Sequence, residues 1–369
     1  MNILYITTHL NTGGISSYLL TLSAAMKEKG HAVYIAAGPG DLLPRFQKAG
    51  IKYIPVPINT KQEISLQVLR TFLILARKVK EYDIDIIHAQ TRVTQVVGCL
   101  LAWSCRRPYV STCHGFFKKR LFRMLMPCWG RLCIAISAQV RDHLAGDLKL
   151  APERIRLIHN GIDLERFSRS DEQTCLQTRK ELGVANSLIV GILARLSEVK
   201  GHRYLIEAMK QVSEKISSAR LLIIGEGKIK KDLMSLSDSL AISDKVIFLP
   251  NVPETVRFLS VMDVFVMPSL HEGLGLGLME AMALGCPVIG SNVGGIKSLI
   301  QNDYNGILVE PADPQGLACA IITLLQDAGK RQLFSRRAQA FIRKDFSHRR
   351  MAAQTQEVYA ECLEIKKEL

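Results

Sequence analysis

A short apolar strand followed by a helical pattern, repeated without a break, constrains this chain more than any other feature. Residues 3–7 favour a strand, and the loop from His9 to Gly14 follows. Ile15, Leu19, Leu22 and Met26 then recur at helical spacing until Gly30 closes the helix. The order continues with strands at 32–37, 53–56, 84–89, 109–113, 132–136 and 155–158. Helices fall between them at 42–49, 66–82, 94–105 and 138–144, with a further one after 113. Parallel strands need long crossovers, so strict alternation with short loops predicts an α/β, doubly wound parallel sheet.

The pattern stops at Asn160-Gly161-Ile162-Asp163 and the polar stretch 165–179, then restarts. Strands are expected at 188–194, 220–224, 246–249, 264–268, 287–290 and 306–309. Helices are expected at 204–215, 228–240, 256–261, 276–284, 296–300 and 314–327. Two Rossmann-like domains facing a central cleft follow: 1–165, then 166–349, then a C-terminal helix within 350–369 whose packing partner the pattern does not name. A chain of 369 residues, 48% hydrophobic and 22% charged, has apolar material for two cores and is neither disordered nor fibrous.

Charge is unevenly shared. The formal net charge is +14, of which residues 1–165 carry +11. An excess of that size points to an anionic partner. Nucleic acid is disfavoured, because no recognition motif is present and aromatic residues make up only 6%. Nine cysteines without a CxxC pair, several in apolar runs such as those of Cys99 and Cys319, fit buried free thiols in a reducing cytoplasm. The start Met-Asn-Ile-Leu-Tyr-Ile reads as a strand rather than a signal peptide. The longest nearly apolar stretch, 96–103, is far below the ~20 residues that span a bilayer.

Two loops carry the chemistry. In the first, Leu193-Ala194-Arg195-Leu196-Ser197-Glu198-Val199-Lys200-Gly201, a strand end delivers a guanidinium and an ammonium suited to a diphosphate. In the second, His271-Glu272-Gly273-Leu274-Gly275-Leu276-Gly277-Leu278-Met279-Glu280, alternate glycines precede a helix whose N-terminal amides can face an anion. Glu272 and Glu280 would repel phosphate, but they make sense as acceptors for sugar and ribose hydroxyls.

Together these segments resemble the R-L-x-x-x-K-G loop and the E-x7-E signature of the retaining, nucleotide-sugar-dependent glycosyltransferases of family 4, which have the GT-B architecture. Further matches are Gly13-Gly14, Asp85-Ile86-Ile87-His88-Ala89, His114-Gly115, Asn160-Gly161-Ile162-Asp163, Gly225-Glu226-Gly227, Gly294-Gly295-Ile296 and Asn305-Gly306-Ile307-Leu308-Val309. The resemblance implies that Arg195 and Lys200 hold the donor diphosphate and stabilise its developing charge. It implies that Glu272 binds hydroxyls of the transferred sugar and that Gly273, Leu274, Gly275 and Leu276 touch phosphate and sugar through the backbone. Glu280 would bind ribose, and backbone near Val252 would meet the base. Gly14 would admit the diphosphate and acceptor, and His114 would contact the donor sugar across the cleft. The usual Phe of that family's E-G-F-G loop is Leu274 here.

The implied reaction is sugar transfer from a nucleoside diphosphate to an acceptor hydroxyl with retention, in bacterial surface glycan or glycolipid synthesis. The implied partners are the donor and a glycan or lipid-linked acceptor. No cofactor is expected and metal is dispensable, because cations and helix N-termini replace it. A sugar-nucleotide epimerase of the same architecture, or a non-catalytic glycan- or lipid-binding protein, are the alternatives. Asp83-Ile84-Asp85 imitates a metal motif but begins a strand, and His88 is expected to pack at a strand end. The segment 116–127, with Lys118, Lys119, Arg120 and Arg123, is either an interfacial helix facing an acceptor or anionic membrane, or an ordinary amphipathic helix with a basic face. The expected location is the cytoplasm, at the inner face of the cytoplasmic membrane.

Overall fold

The computed structural model describes residues 1–117, 123, 126–252 and 254–367. The chain divides into two compact units, one formed by residues 1–161 with 348–369, the other by 162–347.

Unit 1 runs β1 (Asn2–Ile6), α1 (Gly14–Glu28), β2 (Ala32–Ala37), α2 (Leu43–Lys48), β3 (Lys52–Pro55), α3 (Leu66–Glu81), β4 (Ile86–Ala89), α4 (Arg92–Cys105), β5 (Tyr109–Cys113), β6 (Leu132–Ala135), α5 (Ala138–Gly146) and β7 (Ile155–Leu157). The seven strands order β3-β2-β1-β4-β5-β6-β7 and all pair in parallel. Side chains alternate across the sheet, so Ile3 and Tyr5 enter one core with Leu19, Leu22 and Met26 of α1. Leu4 and Ile6 enter the other with Leu75 and Val79 of α3 and Val97 and Leu101 of α4.

Unit 2 runs α6 (Glu172–Glu181), β8 (Leu188–Leu193), α7 (His202–Lys215), β9 (Ala219–Ile224), α8 (Lys230–Ser239), β10 (Val246–Leu249), α9 (Val256–Ser260), β11 (Val264–Met267), α10 (Leu276–Ala283), β12 (Val288–Ser291), α11 (Ile296–Leu299), β13 (Ile307–Val309), α12 (Pro314–Gln326) and α13 (Ala328–Asp345). Its sheet orders β10-β9-β8-β11-β12-β13. The chain then returns to unit 1 as α14 (His348–Lys367), whose Met351, Ala352, Val358, Tyr359 and Cys362 are buried in the core beside α1.

The units meet in sequence at 161/162 and 347/348, earlier than the expected 165/166 and 349/350 boundaries. The stretch read as a polar connection contains α6. Asp171 caps it, accepting from Thr174 N–H at 2.8 Å, while Thr178 is its one buried residue. The cap holds a helix whose apolar periodicity is nearly silent. The nine cysteines are free, but Cys319 is exposed and Cys99 half-buried rather than enclosed.

Candidate functional site

Open α/β sheets leave a crevice at the strand carboxyl ends where the strand order reverses. In unit 2 that point lies between β8 and β11, and the two chemistry-bearing loops leave these two strands. Gly201 joins them closely. Its φ is +69°, and a Cβ there would stand 1.8 Å from the Pro268 carbonyl oxygen. Leu270 N–H donates to the Val199 carbonyl at 2.9 Å. The result is a 2.5 Å ion pair between Lys200 Nζ and Glu272 Oε2. Ser269 Oγ–H donates to the same carboxylate at 3.5 Å, and Gly273 N–H donates to Glu272 Oε1 at 3.2 Å. Gly295 N–H donates to the Glu272 carbonyl at 3.0 Å, buttressing the loop from behind.

Gly275 caps α10 with φ +102°, a left-handed conformation that admits glycine without strain, and no side chain caps this helix. Its first amides are therefore available to an anion. Arg195 is exposed just beyond β8. Its loop is held by Leu196 N–H donating to the Glu226 carbonyl at 2.9 Å, and Gly225 N–H reaches Leu249 at the end of β10 at 3.0 Å. Leu274 is buried, Gly273, Leu276 and Glu280 are half-buried, and Val252 is half-buried in the loop after β10. Lys200 and Glu272, assigned separate partners above, thus hold one another in the free protein.

In unit 1 the order reverses between β1 and β4. The loop after β1 is pinned by Thr12, whose N–H and hydroxyl donate to Asp41 at 2.6 and 2.5 Å, and Gly14 opens α1 exposed. His114 follows β5. Its Nε2–H donates to Gln90 Oε1 at 2.9 Å, and the Tyr18 ring meets it edge-on at 4.8 Å. Burial of the imidazole pushes its pKa down to about 3, so the ring is neutral at ordinary pH. With Nε2 donating, Nδ1 carries a lone pair.

Sequence reasoning missed Gln90, Tyr18 and Ser269, which have no motif and matter only through contact. It also missed His202, buried at the start of α7 and held down to about 4 by burial and then by the Lys200 ammonium. His88 does pack at its strand end. It is fully buried, with Tyr359 hydroxyl at 2.6 Å from Nδ1 and Thr112 Oγ1 at 2.7 Å from Nε2. The aspartates of Asp83-Ile84-Asp85 hold structure. Asp83 pairs with Arg107 at 2.7 Å, and Asp85 accepts from Asn2 N–H at 2.7 Å.

The basic segment needs one correction. Arg123, expected on an exposed basic face, is buried. It lies 3.8 Å from Glu63, which Arg92 holds at 2.9 Å, and stacks over Phe117 at 4.8 Å, so it turns into the unit rather than to solvent. Lys118, Lys119 and Arg120 lie outside the described residues.

Two parallel-sheet units of this kind, each with its loops gathered at the reversal point, are the units of the GT-B fold. Residues 12–166 match the model of Glycosyltransferase Family 4 and residues 177–341 that of Glycosyl transferases group 1. An uncharacterised glycosyltransferase of Methanocaldococcus jannaschii is 30% identical over 76% of both chains. A UDP-Gal:alpha-D-GlcNAc-diphosphoundecaprenol alpha-1,3-galactosyltransferase of Escherichia coli is 27% identical over 74% of both. Anabaena HepE, solved with UDP and glucose, superposes with a TM-score of 0.88 at 24% identity, covering 98% of this chain and 99% of its own. The chain belongs to the family 4 glycosyltransferases.

Proposed function

We propose that this glycosyltransferase takes a nucleoside diphosphate sugar as donor and transfers the sugar, with retention, to a hydroxyl of a glycan or lipid-linked acceptor. The reading rests chiefly on the Lys200–Glu272 pair at the β8/β11 reversal, beside the uncapped N-terminus of α10. A diphosphate entering there meets Lys200, Arg195 and the α10 amides, all positive ends. Glu272, released from Lys200, turns its carboxylate to sugar hydroxyls. The pairing keeps a carboxylate next to the phosphate seat without net repulsion before the donor arrives. Structural neighbours solved with UDP and UDP-glucose support this donor class.

Arg195 and Lys200 would stabilise the charge that grows on the leaving diphosphate, usually the largest single contribution to catalysis. The leaving β-phosphate oxygen would take the proton of the incoming hydroxyl on the same face. No side chain is then needed as a covalent nucleophile, and no metal is required. Unit 1 would take the acceptor, with the neutral His114 offering Nδ1 to a sugar hydroxyl. We place the reaction at the cytoplasmic face of the membrane, in surface glycan or glycolipid synthesis.

A thermal-shift screen over nucleoside diphosphate sugars identifies the donor, because a ligand of the folded state raises the melting point with its affinity. With that donor, Lys200→Ala and Glu272→Ala should each lower transfer by at least about 100-fold while circular dichroism stays native. Transfer at the normal rate in both variants would overturn the assignment of this site.

A further inference from the structure

Helix α3 packs on unit 1 through Val68, Thr71, Leu75 and Val79, which form one buried stripe. The opposite face is not polar, as an ordinary surface helix would be. Leu66 is 71% exposed, Leu69 50% and Leu73 53%, and Ile64 in the preceding loop is 74% exposed. At 100° per residue these leucines lie across the helix from the core stripe, with Arg70 among them and Arg77 and Lys80 on the same side in the turns that follow. All three cations are exposed, and among the described residues none has an acidic partner; the one acid of the helix, Glu81, is paired with Lys78 at 2.8 Å.

Helix α4, which shares its core with α3, adds an exposed aromatic side chain. Ala76 falls on the Leu69–Leu73 side of α3, and the Cys105 thiol at the end of α4 donates to its carbonyl at 3.9 Å. Two residues before that cysteine stands Trp103, 83% exposed. Exposed leucines with unpaired cations beside them, and an exposed indole on the neighbouring helix, are the composition of a surface that lies in a lipid headgroup region. A protein partner would be expected to favour a continuous apolar centre depleted of charge, which the cations beside these leucines break up. Among the described residues no helix is long and apolar enough to cross a membrane, so contact through these residues would be one-sided.

We propose that the outer face of α3, with Trp103, docks unit 1 onto an anionic bilayer. The leucines enter the acyl boundary and Arg70, Arg77 and Lys80 meet lipid phosphates. These residues belong to a different stretch of sequence from Lys118, Lys119 and Arg120. Docking adds to the proposed transfer reaction a way for the enzyme to meet a membrane-borne acceptor, and rests on that reading only for this purpose.

The test is sedimentation of the full chain with phosphatidylcholine vesicles made with and without phosphatidylglycerol, combined with tryptophan quenching by brominated lipid. Trp103 reports docking, because Trp129 is buried at 2% exposure. The wild type should bind only the anionic vesicles, with Trp103 quenched. Arg70→Gln/Arg77→Gln/Lys80→Gln should bind roughly 100-fold more weakly, from the usual contribution of each cation near such a surface. Leu69→Asp/Leu73→Asp, whose substitutions face solvent and spare the core, should abolish binding. Failure of the wild type to bind, an unquenched Trp103, or undiminished binding by both variants would overturn the proposal. So would a solution dimer that Leu69→Asp/Leu73→Asp dissociates, which would make the face a contact between copies. The donor's thermal shift should be unchanged in these variants. A wild type that shifts with donor but ignores vesicles refutes docking alone, and one that binds vesicles but shifts with no donor refutes the transfer reading alone.

Discussion

At the scale of single residues, the 2.5 Å Lys200–Glu272 pair makes a prediction with opposite signs for its two members. Glu272→Gln removes a negative charge from beside the proposed phosphate seat and frees the ammonium. It should bind the bare nucleoside diphosphate at least as tightly as the wild type, even as transfer falls. Lys200→Ala removes the cation and leaves the carboxylate facing the phosphate, so affinity should fall by about tenfold or more, or ~1.4 kcal/mol. Isothermal titration decides it, and equal losses in both variants would argue against the seat. The buried histidines predict a pH dependence. Burial holds His88 and His114 neutral to about 3 and His202 to about 4, whereas their ordinary value is 6.5. Below 6.5 the unfolded chain binds more protons than the folded one. Stability is therefore full above that value and falls with acidification, by up to about 1.4 kcal/mol per pH unit for each histidine. Urea midpoints should be level above about pH 7 and decline steadily toward about pH 5, before most carboxylates titrate. A level midpoint across that range would contradict the neutral, buried rings.

At the scale of elements, what could be read in advance depended on how much of an element's stability comes from a periodic apolar face. The strands of both sheets and the helices with full buried stripes, such as α1 and α7, are written into the residue spacing. Helix α6 rests on its Asp171 cap, and α13 shows only Phe334, Ala338 and Ile342 as a thin buried row, so spacing alone passed over both. The loops after β8 and β11 were legible because they gather particular residue types: two cations, two carboxylates and glycines where backbone must approach backbone. Gln90 and Tyr18 were not, since any residue that hydrogen-bonds or packs edge-on against His114 would serve, and only the fold brings them there. The mutual pairing of Lys200 and Glu272 was hidden for the same reason. It depends on Gly201 packing against Pro268, a contact between loops 72 residues apart at their charged ends. Gly201→Ala should therefore cost more than about 1 kcal/mol in urea denaturation, combining a left-handed φ with a Cβ driven onto a carbonyl oxygen. Donor affinity should fall with it, since the lysine and glutamate loops must separate. A variant with native stability and native affinity would show that the close approach is not what sets the pair.

At the scale of the whole molecule, the chain leaves unit 1 at Gly161, builds unit 2 as one continuous segment, and returns with α14 to complete the first core. The helical spacing of α14 was plain in the sequence. Its destination was not, because an apolar stripe states that it must be covered without stating by what. Inside unit 1 the helix is tied by more than its stripe. Tyr359 hydroxyl bridges His88 and Tyr5, donating to the Tyr5 hydroxyl at 3.1 Å, and Arg156 pairs with Glu361. Burying Met351, Val358, Tyr359 and their neighbours contributes on the order of 10 kcal/mol, at about 1.5–3 kcal/mol for each large side chain. That matches the whole stability of a typical domain, about 5–15 kcal/mol. The unit therefore cannot do without a helix that follows the whole of unit 2 in the chain. Residues 162–347 expressed alone should fold cooperatively, since every strand and core residue of that unit lies within them. Residues 1–161 alone should not reach a cooperative fold, and joining residues 348–369 to them through a flexible linker should restore it. Near-ultraviolet circular dichroism and urea melts of the three chains decide the matter. A cooperative melt from residues 1–161 alone would mean that α14 rests on a core already complete without it.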